Sequence, residues 1–318
     1  MLFAAGGKEQ AAQKDGAWDI AVIVKLEHPW FDDMKIGIEE AAKEFGVNAY
    51  MIAPAEADAA QQVALIESSI ARGVDAIAVV PNDPAAIEPT LRRAQNAGIV
   101  TLSHEATSAQ NVTYNIEAFD NAAMGRRFID NIVKFGGDTG SYAFFVGNMT
   151  AETHMERFNA AVKHQQENYP NLKLITNPPL VSQENTQIAY ERTLELISTY
   201  GNELVGIVSS SAASPVGIGR AISERGMTGK IASVGSSVPS MVEPYILDGT
   251  LHAISLWRPA DAGYVLVWAA KELLEGRQIV DGQEIPKFGV VSVDGKLVIG
   301  GDDGLKDWTL ANKDEFFF

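Results

Sequence analysis

Asp19-Ile-Ala-Val-Ile-Val-Lys-Leu-Glu-His-Pro-Trp-Phe-Asp-Asp-Met-Lys-Ile-Gly-Ile-Glu-Glu-Ala-Ala-Lys-Glu-Phe-Gly46 reads as a strand, a loop and a helix. The apolar run 20–24 is too short for a helix and rich in β-branched residues, the pattern of a strand buried on both faces. Met34, Ile38, Ala41, Ala42 and Phe45 fall at helical spacing, and Gly46 is a helix stop. Between them, Lys25, His28, Trp30 and Phe31 occupy a loop at the carboxyl end of the strand. In open α/β sheets ligands bind at that end.

The same unit recurs. Strand patterns at 48–53, 75–80 and 99–102 alternate with helical patterns at 58–72 and 86–97, which Gly73 and Gly98 close. A short strand at 112–116 marks a change of module. A second series follows, with helices at 121–135, 152–168, 183–200, 213–224, 238–248 and 260–274. Its strands fall at 141–146, 172–176, 204–208, 230–234 and 252–256. Strand–helix alternation with short loops predicts parallel sheets. The tail differs: 290–299 is a hairpin pattern turning on Asp294-Gly295. Two similar α/β halves and a short tail predict two domains with a cleft between them.

Composition narrows the function. The 318 residues carry a formal charge of −16 and a sequence pI near 4.7, which argues against nucleic acid or anionic membrane as the main partner. Apolar residues make up 46%, ample for two cores. The absence of cysteine excludes disulfides, thiol nucleophiles and thiolate metal sites. The opening Leu2-Phe-Ala-Ala-Gly-Gly7 resembles the end of an export signal, so 1–18 is expected to be a flexible leader and the chain to work outside the cytoplasm, free or lipid-anchored.

Enzyme motifs are scarce. There is no phosphate-binding glycine loop, nucleophile elbow or His-Glu-x-x-His. Gly217-Ile-Gly219 lies inside a helical pattern and predicts close helix packing. The five histidines lack metal-ligand spacing, so neither metal nor cofactor is expected. What recurs at strand ends is polar and aromatic: Asn82 and Asp83, His104 and Glu105, the serines at 209–211 and 236–237, and Trp257. Hydroxyl-bearing ligands need both donors and acceptors, and their C–H faces pack on aromatic rings. The rim thus points to a neutral sugar or polyol. Asn82-Asp83-Pro84 has a second reading as a turn and helix cap, and the serine run has one as a cap alone.

Several segments together resemble the type I periplasmic sugar-binding proteins of ABC importers, in particular the autoinducer-2/rhamnose-binding branch. They are Val24-Lys-Leu26, Gly73-Val-Asp-Ala-Ile-Ala-Val-Val-Pro-Asn-Asp-Pro-Ala-Ala86, Val234-Gly-Ser-Ser-Val-Pro-Ser-Met-Val-Glu-Pro-Tyr-Ile246, Leu256-Trp-Arg-Pro259 and Thr309-Leu-Ala-Asn-Lys-Asp-Glu315. The resemblance implies an α/β fold of two Rossmann-like lobes with parallel sheets, joined by a three-crossover hinge. We place the crossovers near 107–117, Trp257 and Pro286, which assigns 19–110 with 257–286 to the first lobe and 111–256 with 287–318 to the second. It also implies that Lys25, Trp30, Phe31, His104 with Glu105, His154 with Thr153, Ser211, Ser237 and Trp257 hold the ligand, with His28, Asn82 and Asp83 beside them. Thr153 and His104 stand where autoinducer-2 binders carry an acidic pair, so the expected ligand is a pentose, deoxy sugar or small polyol. The resemblance further implies a monomer that serves a permease, or a chemotaxis or two-component sensor, without catalysis. The rival readings are an autoinducer-2 binder, an enzyme using Glu105 with His104, and a transcription regulator with the same sensor lobes.

Overall fold

The computed structural model describes residues 16–301 and 304–315; the expected leader lies almost wholly outside them. Strand β1 (Asp19–Ile23) has Ile20, Ala21, Val22 and Ile23 fully buried, as its unbroken apolar run predicts. It pairs in parallel with β2 (Asn48–Ile52) on one side and β3 (Ala76–Val79) on the other, with Val22 opposite Met51 and Ala78. Around these run α1 (Pro29–Phe45), α2 (Ala59–Arg72), α3 (Pro84–Asn96), β4 (Val100–Ser103) and β5 (Tyr114–Glu117).

The chain then enters the second lobe: α4 (Asn121–Gly136), β6 (Gly140–Val146), α5 (Glu152–Asn168), β7 (Leu172–Leu174), β8 (Leu180–Val181), α6 (Thr186–Tyr200), β9 (Leu204–Ser209), α7 (Ser214–Glu224), β10 (Ala232–Gly235), α8 (Pro239–Leu247) and β11 (Ala253–Leu256). Helix α9 (Pro259–Leu274) returns to the first lobe. It lies directly on α1: a Cβ on Gly37 would sit 1.7 Å from the Ala260 carbonyl oxygen, and one on Gly263 would sit 2.3 Å from that of Met34. Asp33 fixes the contact by accepting a hydrogen bond from the Ala260 N–H at 2.9 Å.

The tail consists of a ribbon, β12 (Glu284–Ile285) with β13 (Gly289–Val290), the hairpin β14 (Ser292–Asp294) with β15 (Leu297–Ile299), and β16 (Lys306–Trp308). The first sheet has the order β14-β15-β5-β4-β3-β1-β2 and the second β16-β11-β10-β9-β6-β7, with β8 also on β6. Both are parallel apart from β14 and β16.

Two expected lobe boundaries are corrected here. Residues 114–117 belong to the first sheet, where Leu102 of β4 faces Tyr114. The hairpin at 292–299 also belongs there, because Leu297 pairs with Asn115. The passages between sheets therefore lie at 118–120, at 257–258 and between Ile299 and Lys306; only the one at Trp257 falls where the sequence placed it. The expected 183–200 helix starts later, at Thr186. Gln183 and Glu184 have φ of 56° and 52°, incompatible with a right-handed helix, and Asn185 caps the N-terminus instead. Helices α6 and α7 touch at Gly217, whose Cβ would meet the Thr186 carbonyl oxygen at 2.1 Å, in line with the predicted close packing.

Candidate functional site

The carboxyl ends of β1 and β4 build one wall. Directly after β1 and Val24 comes Lys25, which is 5% exposed. Its Nζ donates to Glu105 Oε2 at 2.5 Å, and both groups are buried. Glu105 reaches this position from a left-handed backbone (φ 57°) two residues beyond β4. His28 caps α1, its Nδ1 accepting from the Trp30 N–H at 3.1 Å. Pro29 opens the helix, and the first turn then carries Trp30 and Phe31 into the cleft, both buried.

The second wall comes from α5 and the loops after β8, β9 and β10. His154 and Arg157 lie three residues apart on α5 and so share one face. Glu184 projects from the left-handed pair ahead of α6. Gly147 makes room for it, since a Cβ there would be 1.8 Å from Glu184 Oε1. Glu184 Oε2 accepts from Ser211 Oγ at 2.6 Å. Trp257, in the crossover between β11 and α9, closes the back. Its ring packs edge-on against Trp30 at 4.6 Å and Phe119 at 4.8 Å, and the Arg157 guanidinium lies 5.2 Å from it. The walls surround about 410 Å³ of empty space, counting its mouth.

Charge in this space is tightly controlled. Burial alone would raise the Glu105 pKa, but the ammonium of Lys25 outweighs it and holds the carboxyl well below the usual range. Burial lowers the pKa of His28, His104 and His154, so all three imidazoles are neutral near pH 7. Their partners set the tautomers. His28 Nδ1 and His154 Nδ1 each accept from a backbone N–H, of Trp30 and Gly147, so in both the proton sits on Nε2. His104 Nδ1 lies 2.6 Å from the Ile116 carbonyl oxygen and must carry the proton, leaving Nε2 an acceptor. Glu117, behind the wall, is pushed up to about 8 by burial and by the nearby Glu105 and Glu156. Burial also raises Glu184.

Nine buried side-chain atoms among the described residues have no hydrogen-bond partner, and five of them are found here: His28 Nε2, Ser210 Oγ and Trp257 Nε1 on residues that line the cavity, and His104 Nε2 and Thr153 Oγ1 behind the lining. Buried polar groups are rarely left unpaired, and each such group loses about 1–3 kcal/mol. Two of the five are fixed donors, one is a fixed acceptor and two are hydroxyls that can be either.

Of the residues expected from sequence, Lys25, His28, Trp30, Phe31, Glu105, His154 and Trp257 line this space. The other six stand outside it. Asp83 caps α3, its Oδ1 accepting from the Ala85 and Ala86 N–H groups, which corrects its reading as a ligand contact in favour of the cap. Asn82 donates to the Lys25 carbonyl oxygen and, with Gln62, ties the ends of β1 and β3 together. His104 and Thr153 lie behind the lining. Ser211 is bonded to Glu184 and Ser237 to the Ala212 carbonyl oxygen, while their neighbours Ser210 and Ser236 face the cavity. Arg157 and Glu184 were missed. The spacing from His154 could have signalled Arg157; Glu184 was hidden inside a helical pattern.

Two α/β lobes closing on a polar and aromatic cavity at their strand ends define a cleft-binding protein. The chain belongs to the periplasmic binding protein domain family, whose model matches residues 20–278. It is 25% identical to the D-allose-binding periplasmic protein of Escherichia coli (strain K12) over 288 residues, 86% of this chain and 90% of that one. With the D-ribose/D-allose-binding protein of Pseudomonas aeruginosa it shares 22% over 295 residues, 88% of each. Among solved structures, the solute-binding protein of Clostridium phytofermentas with bound L-rhamnose superposes with a TM-score of 0.86 at 23% identity, covering 95% of this chain and 98% of that one. LsrB from Clostridium saccharobutylicum in complex with AI-2 gives 0.85 at 20%, covering 94% and 99%. These neighbours share the fold. No helix of the described residues is long and apolar enough to cross a membrane.

Proposed function

We propose that this chain is an extracytoplasmic solute-binding protein that captures a small polyhydroxylated ligand, a sugar or polyol, between its lobes and hands it to an ABC permease. The carrying observation is that the cavity sets unpaired neutral polar groups, the His28 and Trp257 N–H donors and the Ser210 hydroxyl, beside an aromatic wall. Hydroxyl groups satisfy both kinds at once, and the rings of Trp30, Phe31 and Trp257 offer surfaces for the C–H face of a sugar. The relatives named for D-allose and for D-ribose/D-allose support the same ligand class.

We read the site as binding rather than catalytic. Glu105, the acid that an enzymatic reading would use, is locked as an anion by Lys25, and His104 spends its proton on a backbone carbonyl.

Capture works by closure. Across the cleft, Thr150 Oγ1 donates to the Asn82 carbonyl oxygen at 3.1 Å, and Glu152 accepts from the Ser108 N–H at 3.0 Å and from Thr107 Oγ1 at 3.1 Å. A ligand touching both walls adds to these bonds only when the lobes are together, so it shifts the population to the closed form. A thermal-shift panel of pentoses, hexoses, deoxy sugars, polyols and autoinducer-2 tests the reading. At least one sugar or polyol raises the melting temperature in a concentration-dependent way; a flat response to every one of them overturns the proposal.

A further inference from the structure

We propose that the ligand carries a carboxylate as well as hydroxyls, as an aldonic or related polyhydroxy acid does, and that Arg157 receives that carboxylate. The inference rests on the polyhydroxylate reading of the cavity and narrows it.

Arg157 is 2% exposed and lines the cavity from α5. Its Nε donates to Asn121 Oδ1 at 2.8 Å, and Asn121 is held in turn by donating from Nδ2 to Glu117 Oε2 at 3.1 Å. The rings of Trp257 and Phe119 lie 5.2 and 5.9 Å from the guanidinium carbon. The guanidinium is thus clamped in place with its terminal nitrogens uncommitted. Among the described residues, no carboxylate oxygen comes within 4.0 Å of it. A buried cation with no counter-ion in contact is an expensive arrangement, and guanidinium stays charged at any physiological pH.

The nearby acids Glu105, Glu117 and Glu156 act on the guanidinium only across space and none touches it; Glu156 instead accepts from Thr107 Oγ1. Glu105 is matched by Lys25. Both oxygens of Glu117 accept bonds, from the Ala106 N–H and from Asn121, and its raised pKa keeps it mostly protonated at neutral pH. Glu184 sits against Ser211, with burial pushing it toward the neutral form.

The hydrogen-bonding inventory points the same way. The lining presents N–H donors from His28 Nε2, His154 Nε2, Trp257 Nε1, Arg157 and Lys25. Its acceptors are the free oxygens of Glu105 and Glu184, with His104 Nε2 behind them, and the Ser210 and Ser236 hydroxyls serve as either. A neutral hydroxyl brings one donor for its acceptors, whereas a carboxylate brings acceptors alone and answers the surplus. The planar pair of oxygens on a carboxylate matches the guanidinium fork with a single charge, whereas a phosphate ester brings nearly two.

The test is calorimetric titration of the full chain with D-ribose, D-arabinose, D-allose and L-rhamnose, each beside its aldonate. At least one aldonate binds about tenfold or more tightly than its aldose, the scale of one hydrogen bond to a charged group. Arg157→Gln removes that advantage, while Arg157→Lys, which keeps the charge, retains part of it. The proposal is overturned if aldoses bind as tightly as their aldonates, if a sugar phosphate outcompetes the acids, or if Arg157→Gln keeps the preference. Tight neutral sugars with silent acids would sink this inference and leave the sugar-binding reading standing. Silence from both classes would sink both.

Discussion

Lys25 and Glu105 show how a single pair sets the character of the cavity. Replacing Lys25 by Met leaves an uncompensated buried carboxylate and should destabilise the fold by about 3–5 kcal/mol. The double variant Lys25→Met/Glu105→Gln should recover much of that loss; urea unfolding of the three proteins checks it, and equal losses in single and double variants would contradict the pairing. Trp257→Ala should instead weaken ligand binding at least several-fold, read by titration calorimetry, because it removes a wall and a donor together. Glu117 adds a pH signature. Its folded pKa of about 8 exceeds the ordinary 4.5, so between those values the folded chain keeps a proton that the unfolded chain has released. Stability from this group is therefore full below about 4.5 and is lost as pH rises toward about 8. Melting temperatures at pH 5 and pH 8 should show a decline that Glu117→Gln reduces. Much of the residue-scale site was legible, because Lys25, Trp30 and Phe31 follow a strand whose carboxyl end had to face the cleft. The serines were read one position away from the pair that lines the cavity, since a loop without periodicity does not reveal which of two neighbours turns inward. Glu184 was not legible, because its left-handed backbone is stabilised by tertiary contacts, not by local propensity.

Among the elements, α1 and α9 matter most, because they place both tryptophans. Their backbones touch at Gly37 and Gly263, so any side chain there must push the helices apart. Gly37→Ala should lose about 1–3 kcal/mol or more in chemical denaturation; an unchanged midpoint would refute the contact. Phe128 on α4, fully buried against Phe144, should lose about 3–5 kcal/mol when cut to Ala. Element existence was legible almost throughout, since apolar runs and 3.6-residue spacing are local. Sheet membership was not. Tyr114–Glu117 and the 292–299 hairpin look like second-module strands in sequence, yet they extend the first sheet through pairings that join Asn115 to Leu297. No local pattern records a partner so far along the chain.

At the scale of the whole molecule, the two lobes were foreseen from the repeated alternation, and the middle crossover from Trp257. The other two crossovers shifted once β5 and β15 were seen to share a sheet. The bonds from Thr107 and Ser108 to Glu152, and from Thr150 to Asn82, place the described structure in a closed arrangement. Closure around a ligand is the central claim, and small-angle X-ray scattering tests it most directly. With a sugar, polyol or aldonate at saturating concentration, the radius of gyration should fall relative to the ligand-free protein, as the lobes spend less time apart. A ligand that saturates the site in calorimetry yet leaves the scattering curve unchanged would contradict capture by closure.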